Sequence, residues 1–353
     1  MVEVSGGGYA LYIYASTRMR VRKAKLLPRE EYLRMLNMSL PELTRFIGET
    51  EYKTEIDELG GSFTGIDLME VALSWNLAKE YQKVLSIAPG VLRQFTASYL
   101  RRWDIQNVLT ILRGKKQGLP AGSIKEVLIP AGSLDTAVLD RLLNEDSADR
   151  IVEALKGRRL YPVLERELPL SVELGTYAHM ENELYKQFYA ELISEAKSGV
   201  RGGHVFLSYL KLEIDIRNVR TLFRLRESRG EHDHAADLMI PDGSFSVDEL
   251  VRFTGATSTD ELVDSVKKRV GLEAVAELLE SLRGDTRLHE IEIGLTRVML
   301  EQMEKMSMRY PFSVCPILVY LEKKKYEVEN IRALARGKEY NLPPEKIQGY
   351  LVV

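Results

Sequence analysis

The chain has 353 residues, 45% of them apolar and 29% charged, which is enough for a sizeable core and for two or three domains. Lysine and arginine number 49 against 52 acids, a net charge of −3, and this near-balance argues against a dedicated nucleic-acid binder. The single cysteine, Cys315, excludes an internal disulfide and suits a reducing cytosol.

From the N-terminus, "YALYIYAS" is too short to span a bilayer and lacks the preceding basic region of a signal peptide. No later stretch approaches the roughly 20 consecutive apolar residues of a transmembrane helix. "GGGYA" has no preceding strand and so is not a dinucleotide fingerprint. The run "RMRVRKAK" (18–25) reads as a solvated helix face, with acidic lipid headgroups or an acidic partner as the alternative. Ser39 with Glu42, Ser246 with Glu249 and Ser258 with Glu261 mark helix starts. Residues 67–85, 173–197 and 287–306 carry apolar positions three and four apart, the spacing of amphipathic helices. Strict alternation is scarce, so the fold class is all-α.

Each of those long helices precedes one ten-residue phrase. "DIQNVLTILR" (104–113) returns as "DIRNVRTLFR" (215–224) and "EVENIRALAR" (327–336). Asn107, Asn218 and Asn330 thus fall at almost equal intervals. "LIPAGSL" (128–134) recurs as "MIPDGSF" (239–245), with Pro130 and Pro241 at the same distance beyond their Asn. The period is roughly 110 residues, far longer than the 20 to 50 of solenoids, and so means triplicated domains. Their bounds fall at roughly 1–128, 129–239 and 240–353.

At about 100° per residue, Trp103, Ile105, Val108, Ile111 and Leu112 share one face of the first phrase helix with Asp104 and Asn107. The second copy places Asp215 and Asn218 on the same face, and the third Glu327 and Asn330. Arg113, Arg224 and Arg336 fall opposite. The expectation is therefore a buried polar pair in each copy, satisfied by hydrogen bonds because an unpaired buried group costs about 1–3 kcal/mol. These pairs are read as packing devices and not as catalytic acids, since no His or Cys accompanies them in the phrase.

Other chemistry is thin. His232, His234 and Asp237 of "HDHAAD" have the residue types for zinc, but a zinc site needs further ligands, and the same position in the first copy holds none. The stretch reads as a solvated connector. "SGVRGGH" (198–204) lacks the Walker A spacing and its Lys-Ser/Thr ending. Cys315 lies in the apolar "SVCPILVYL" and reads as a buried small hydrophobe. His179 and His289 fall in helical patterns, and no catalytic residue, metal or cofactor is assigned.

"YIYASTRMRVRKAKLL", "GETEYKTEI" and "YLRRWDIQNVLTILRGKKQG", with the two degenerate copies of the last, resemble the C subunit of archaeal A-type ATP synthases. That family is homologous to the d subunit of vacuolar-type ATPases. The resemblance covers essentially the whole chain; the second and third copies of the phrase depart from the first, with Glu327 replacing Asp. It implies three related helical domains about a pseudo-threefold axis, forming a funnel-like socket. The socket sits on the membrane rotor ring of proteolipid subunits and receives the central shaft. It implies a non-catalytic coupler that binds no nucleotide and lies at the cytoplasmic side of the membrane as a peripheral protein. A helical adapter outside any rotary machine is the alternative reading.

Overall fold

The computed structural model describes residues 6–228, 235–256, 258–267, 273–281 and 287–353. Among these residues every regular element is a helix. Helix α1 (Gly6–Lys23) stands first and is followed by α2 (Arg29–Met35), α3 (Leu40–Ile47), α4 (Lys53–Leu59), α5 (Gly65–Ile87), α6 (Gly90–Leu100) and α7 (Arg102–Lys116). A short α8 (Ala121–Glu126) leads into α9 (Thr136–Leu143), α10 (Ala148–Glu153), α11 (Tyr161–Glu173), α12 (Ala178–Lys197) and α13 (Gly203–Ser228). Then α14 (Ala235–Leu238) leads into α15 (Val247–Thr254), α16 (Thr259–Lys267), α17 (Glu273–Ser281), α18 (Leu288–Arg309), α19 (Cys315–Glu339) and α20 (Pro344–Gln348).

One order recurs: short helices, a long helix (α5, α12, α18), then the helix carrying the phrase (α7, α13, α19). Local chemistry sets several of the starts. Ser39 and Ser246 each accept the amide of the residue three on while Glu42 and Glu249 reach back, which satisfies amide protons that a helix start leaves orphaned. Ser258 Oγ likewise accepts the Glu261 amide at 3.0 Å.

The phrase helices build the core by packing onward. α7 lies against α12, α13 against α18, and α19 against both α5 and α1. The apolar residues of the phrase face are buried in all three copies apart from Tyr326, which is half-buried, as is Ala333 beside that face. They join a single apolar cluster running from Ala15 in α1 to Leu351 near the C-terminus. Leu59, Leu68, Val71 and Ala72 form a second, smaller cluster between α4 and α5.

The first copy is broken where the other two are continuous: α6 and α7 together correspond to the single helices α13 and α19. No Pro or Gly lies at the break. Instead Arg102 Nε donates to the Tyr99 carbonyl at 3.3 Å, and Asp104 N turns to Arg101 O at 3.0 Å. The ladder restarts here with a three-residue turn, while a side chain serves a carbonyl at the break.

Candidate functional site

Each phrase helix ends up holding the backbone of a segment that lies outside it. Asn107 donates from Nδ2 to Ile129 O at 2.7 Å and accepts Ile129 N at 2.9 Å. Asn218 does the same with Ile240, at 2.8 and 2.9 Å. Asn330 does it with Val352, at 2.9 and 2.8 Å. A carboxamide has one donor face and one acceptor face, so it mimics a peptide partner in this role.

The acids act one turn away. Asp104 accepts Ser133 N at 2.9 Å, Ser133 Oγ at 2.7 Å and Leu134 N at 2.8 Å, all just ahead of α9. Asp215 accepts Ser244 N at 2.7 Å, ahead of α15. Glu327 accepts Leu27 N at 2.7 Å, ahead of α2. The third acid therefore holds the start of the first run of helices, 300 residues away. Gly132 and Gly243 are required by this contact, because a Cβ on either would collide with the facing carboxylate. Asp104, Asn107, Asn218, Glu327 and Asn330 are buried and Asp215 is half-buried. Burial pushes the pKa of Asp104 and Asp215 up despite the bonds they accept.

Glu327 has a fuller shell than the aspartates. Tyr52 Oη donates to it at 2.7 Å, and buried Lys324 Nζ at 2.8 Å. The same ammonium sits 3.9 Å from the Tyr52 ring centroid, a cation–π contact. Burial and the facing Glu327 hold the Tyr52 phenol well above its ordinary pKa.

The arginines at the outer face of the phrase are exposed, and each pairs with the long helix of the next run. Arg113 meets Glu181 at 2.6 Å, Arg224 meets Glu292, and Arg336 meets Glu70 at 2.6 Å. Glu70, Glu181 and Glu292 themselves recur with the period of the phrase.

A largely buried charge cluster joins α7, α13 and α19. Five residues before each Asn stand Arg102, Glu213 and Lys325. Arg102 forks onto Glu213 at 2.8 and 3.0 Å and reaches Glu322 at 3.0 Å. Tyr99 Oη donates to Glu322 at 2.8 Å, and Lys325 lies 3.7 Å from it. Burial opposes charge on Glu322, but Lys325 and Arg102 outweigh it and lower its pKa below the ordinary value of 4.5. Beyond this cluster, Phe95 stacks on Phe206 at 4.6 Å, and a cavity of about 570 Å³ opens between the starts of α6, α13 and α19.

Chemically this arrangement holds parts together. Each buried carboxylate described above accepts hydrogen bonds from protein donors. Cys315 is buried and its thiol is pushed up to about 11 by that burial, far from a reactive thiolate. His179 Nδ1 lies 2.8 Å from Glu167, an ordinary side-chain contact. Of the "HDHAAD" stretch, His232 and His234 lie outside the described residues. Among the described residues no three His, Cys, Asp or Glu side chains are grouped to hold a metal ion.

Residues 15–350 match the model of the family described as ATP synthase (C/AC39) subunit. The chain belongs to this family. The C subunit of the A-type ATP synthase of Archaeoglobus fulgidus is 35% identical over 349 residues, covering 98% of each chain. Its counterpart in Methanosarcina acetivorans is 38% identical over 350 residues, 98% of this chain and 94% of that one. The Haloferax volcanii protein is 34% identical over 353 residues and the whole of both.

Members of this family are structural subunits of the synthase, not its catalytic ones, and the chain partners other subunits of that complex. Among the described residues no helix is long and apolar enough to cross a membrane. Some of the contacts above escaped sequence reasoning. For Glu70, Glu181 and Glu292 the shared period was the available signal. "GKKQGLPAGSI" (114–124) also returns as "GKEYNLPPEKI" (337–347), with Ile124 and Ile347 seated against Gly114 and Gly337. Arg102, Glu213 and Lys325 gave no such signal, because the three side chains differ.

Proposed function

We propose that the chain is the coupling socket of an A-type rotary ATP synthase. In this reading three helical units surround a pseudo-threefold axis as a funnel. The funnel sits on the membrane rotor ring at the cytoplasmic side and grips the foot of the central shaft, passing torque between ion flow and ATP synthesis. The units are 1–128, 129–239 and 240–353, meeting just after α8 and α14. The buried Asp/Glu–Asn pairs serve cohesion between units.

One observation carries the reading. Glu327 takes the Leu27 amide and Arg336 takes Glu70, repeating at the far end of the chain what Asp104 with Leu134 and Arg113 with Glu181 do at the start. Head-to-tail contacts of one kind close into a ring when the rotation permits. A linear row would leave the third phrase without a partner. The cavity among the three helix starts is favourably placed to receive a protruding element of another subunit.

Removing this subunit from a reconstituted synthase tests the proposal. ATP hydrolysis by the soluble head should persist while ATP-driven ion pumping disappears, and adding the chain back should restore pumping. Full pumping in its absence would overturn the socket reading.

A further inference from the structure

Among the described residues, the seam between the third and first runs contains a helix that the other seams lack. α1 packs along α19 and α5, burying Ala15, Ser16 and Met19. Its Arg22 pairs with Glu80, which also accepts Tyr320 Oη at 2.9 Å, and its Lys23 pairs with Glu304. Carrying the α5 positions forward by two periods and the α19 positions back by one moves this groove to the seam between α13 and α18. Tyr320, Lys323, Glu327 and Glu80 become Ser208, Lys211, Asp215 and Gln302.

At that equivalent place the structure has an open groove of about 620 Å³. Its floor is apolar, with Leu212, Ile216, Val219 and Met306, and its rim carries Lys211, Lys305 and Arg309. Asp215 is the acid among its lining residues. None of the three cations forms an ion pair with a described residue. From Ser208 to Val219 the groove follows α13 for roughly 17 Å, about three helical turns at 1.5 Å per residue.

We infer that this groove docks an acidic amphipathic helix from another subunit of the synthase. The chain itself supplies the precedent, because the same groove one seam on is filled by a helix lying on its apolar floor. Charge selects the occupant. The filled groove offers Glu80 and Glu304 to a basic helix. The open groove has Gln302 in place of Glu80 and adds Arg309 where the filled one has Ile87. A second copy's α1, bearing Arg18, Arg20, Arg22 and Lys23, would meet like charge there. The inference depends on membership of the complex and not on the socket reading.

Ser208 is exposed at the groove edge, and Cys315 is too buried to compete, so Ser208→Cys gives this chain a single reactive thiol. The purified, assembled synthase carrying this variant is labelled with benzophenone maleimide and irradiated, and the joined peptides are sequenced. The expected product links the groove to an acidic helical segment of another subunit. Adding Lys305→Glu, at an exposed residue that lines this groove, should cut its yield several-fold. Linkage to α1 of a second copy, to lipid, or to a basic segment overturns the inference. So does a thiol alkylated as fast in the complex as in the isolated chain. Copurification of the Ser208→Cys chain reports complex membership separately and stays intact if only the groove inference fails.

Discussion

The junction at Asp104 and the junction at Glu327 use one design under different conditions. Asp104 grips an amide 30 residues along the chain, so its partner is never far away. Glu327 grips one 300 residues away, and the longer loop adds closure entropy, about 0.6 kcal/mol for each doubling. The closing junction compensates with extra ties. Lys324 and Tyr52 surround the carboxylate, and α1 lies across the seam with Arg22 on Glu80. The Glu in place of Asp extends the reach by a methylene. Repeated contacts thus suffice where the backbone connects the parts, and supplementary ones accumulate where it does not.

The largest test of this contrast is Glu327→Ala. It leaves Lys324 buried without its carboxylate, and removing one member of a buried pair costs about 3–5 kcal/mol. Asp104→Ala strands amides but no charge, so denaturant melts should rank it below Glu327→Ala. Equal losses would break the comparison. Asn218→Leu should cost about 1–3 kcal/mol by orphaning the Ile240 amide and carbonyl, with no specific chemical defect. Gly132→Ala, which collides with Asp104, should fall in a similar range of about 1–3 kcal/mol, typical of overpacking.

Acid sharpens a second contrast, between the Arg102 cluster and the two aspartates. Glu322 has a folded pKa below its ordinary 4.5, so its stabilisation is complete above that value and is lost as pH falls through the folded pKa. Asp104 and Asp215 behave oppositely: with folded values raised above 3.8, their contribution is full below that and fades as pH rises through the raised value. Glu322→Gln should therefore flatten the acid limb of a stability–pH curve, whereas Asp104→Asn should not. The smallest effect belongs to Arg113→Ala, whose 44% exposed side chain makes a screened pair worth about 0–1 kcal/mol.

The phrase itself was readable because period, apolar spacing and polar pair coincide in each copy. What escaped was everything that differs among copies or lies outside them. Arg102 at the helix break, the sheltered Lys324 and the strap-like α1 all resemble ordinary surface charge in the linear sequence. The destination of each Asp and Asn escaped too. Helical periodicity says which side of a helix is buried, and nothing about the segment waiting there.

The unlike charges around Arg102 carry one more implication. Arg113–Glu181, Arg224–Glu292 and Arg336–Glu70 are chemically interchangeable, so they would tolerate any sequence of neighbours, including neighbours from separate molecules. Arg102 meets two carboxylates only when the three helices assemble in the arrangement found here. A miswired assembly would bury unbalanced charge there, which makes the cluster an error check written into an otherwise uniform pattern.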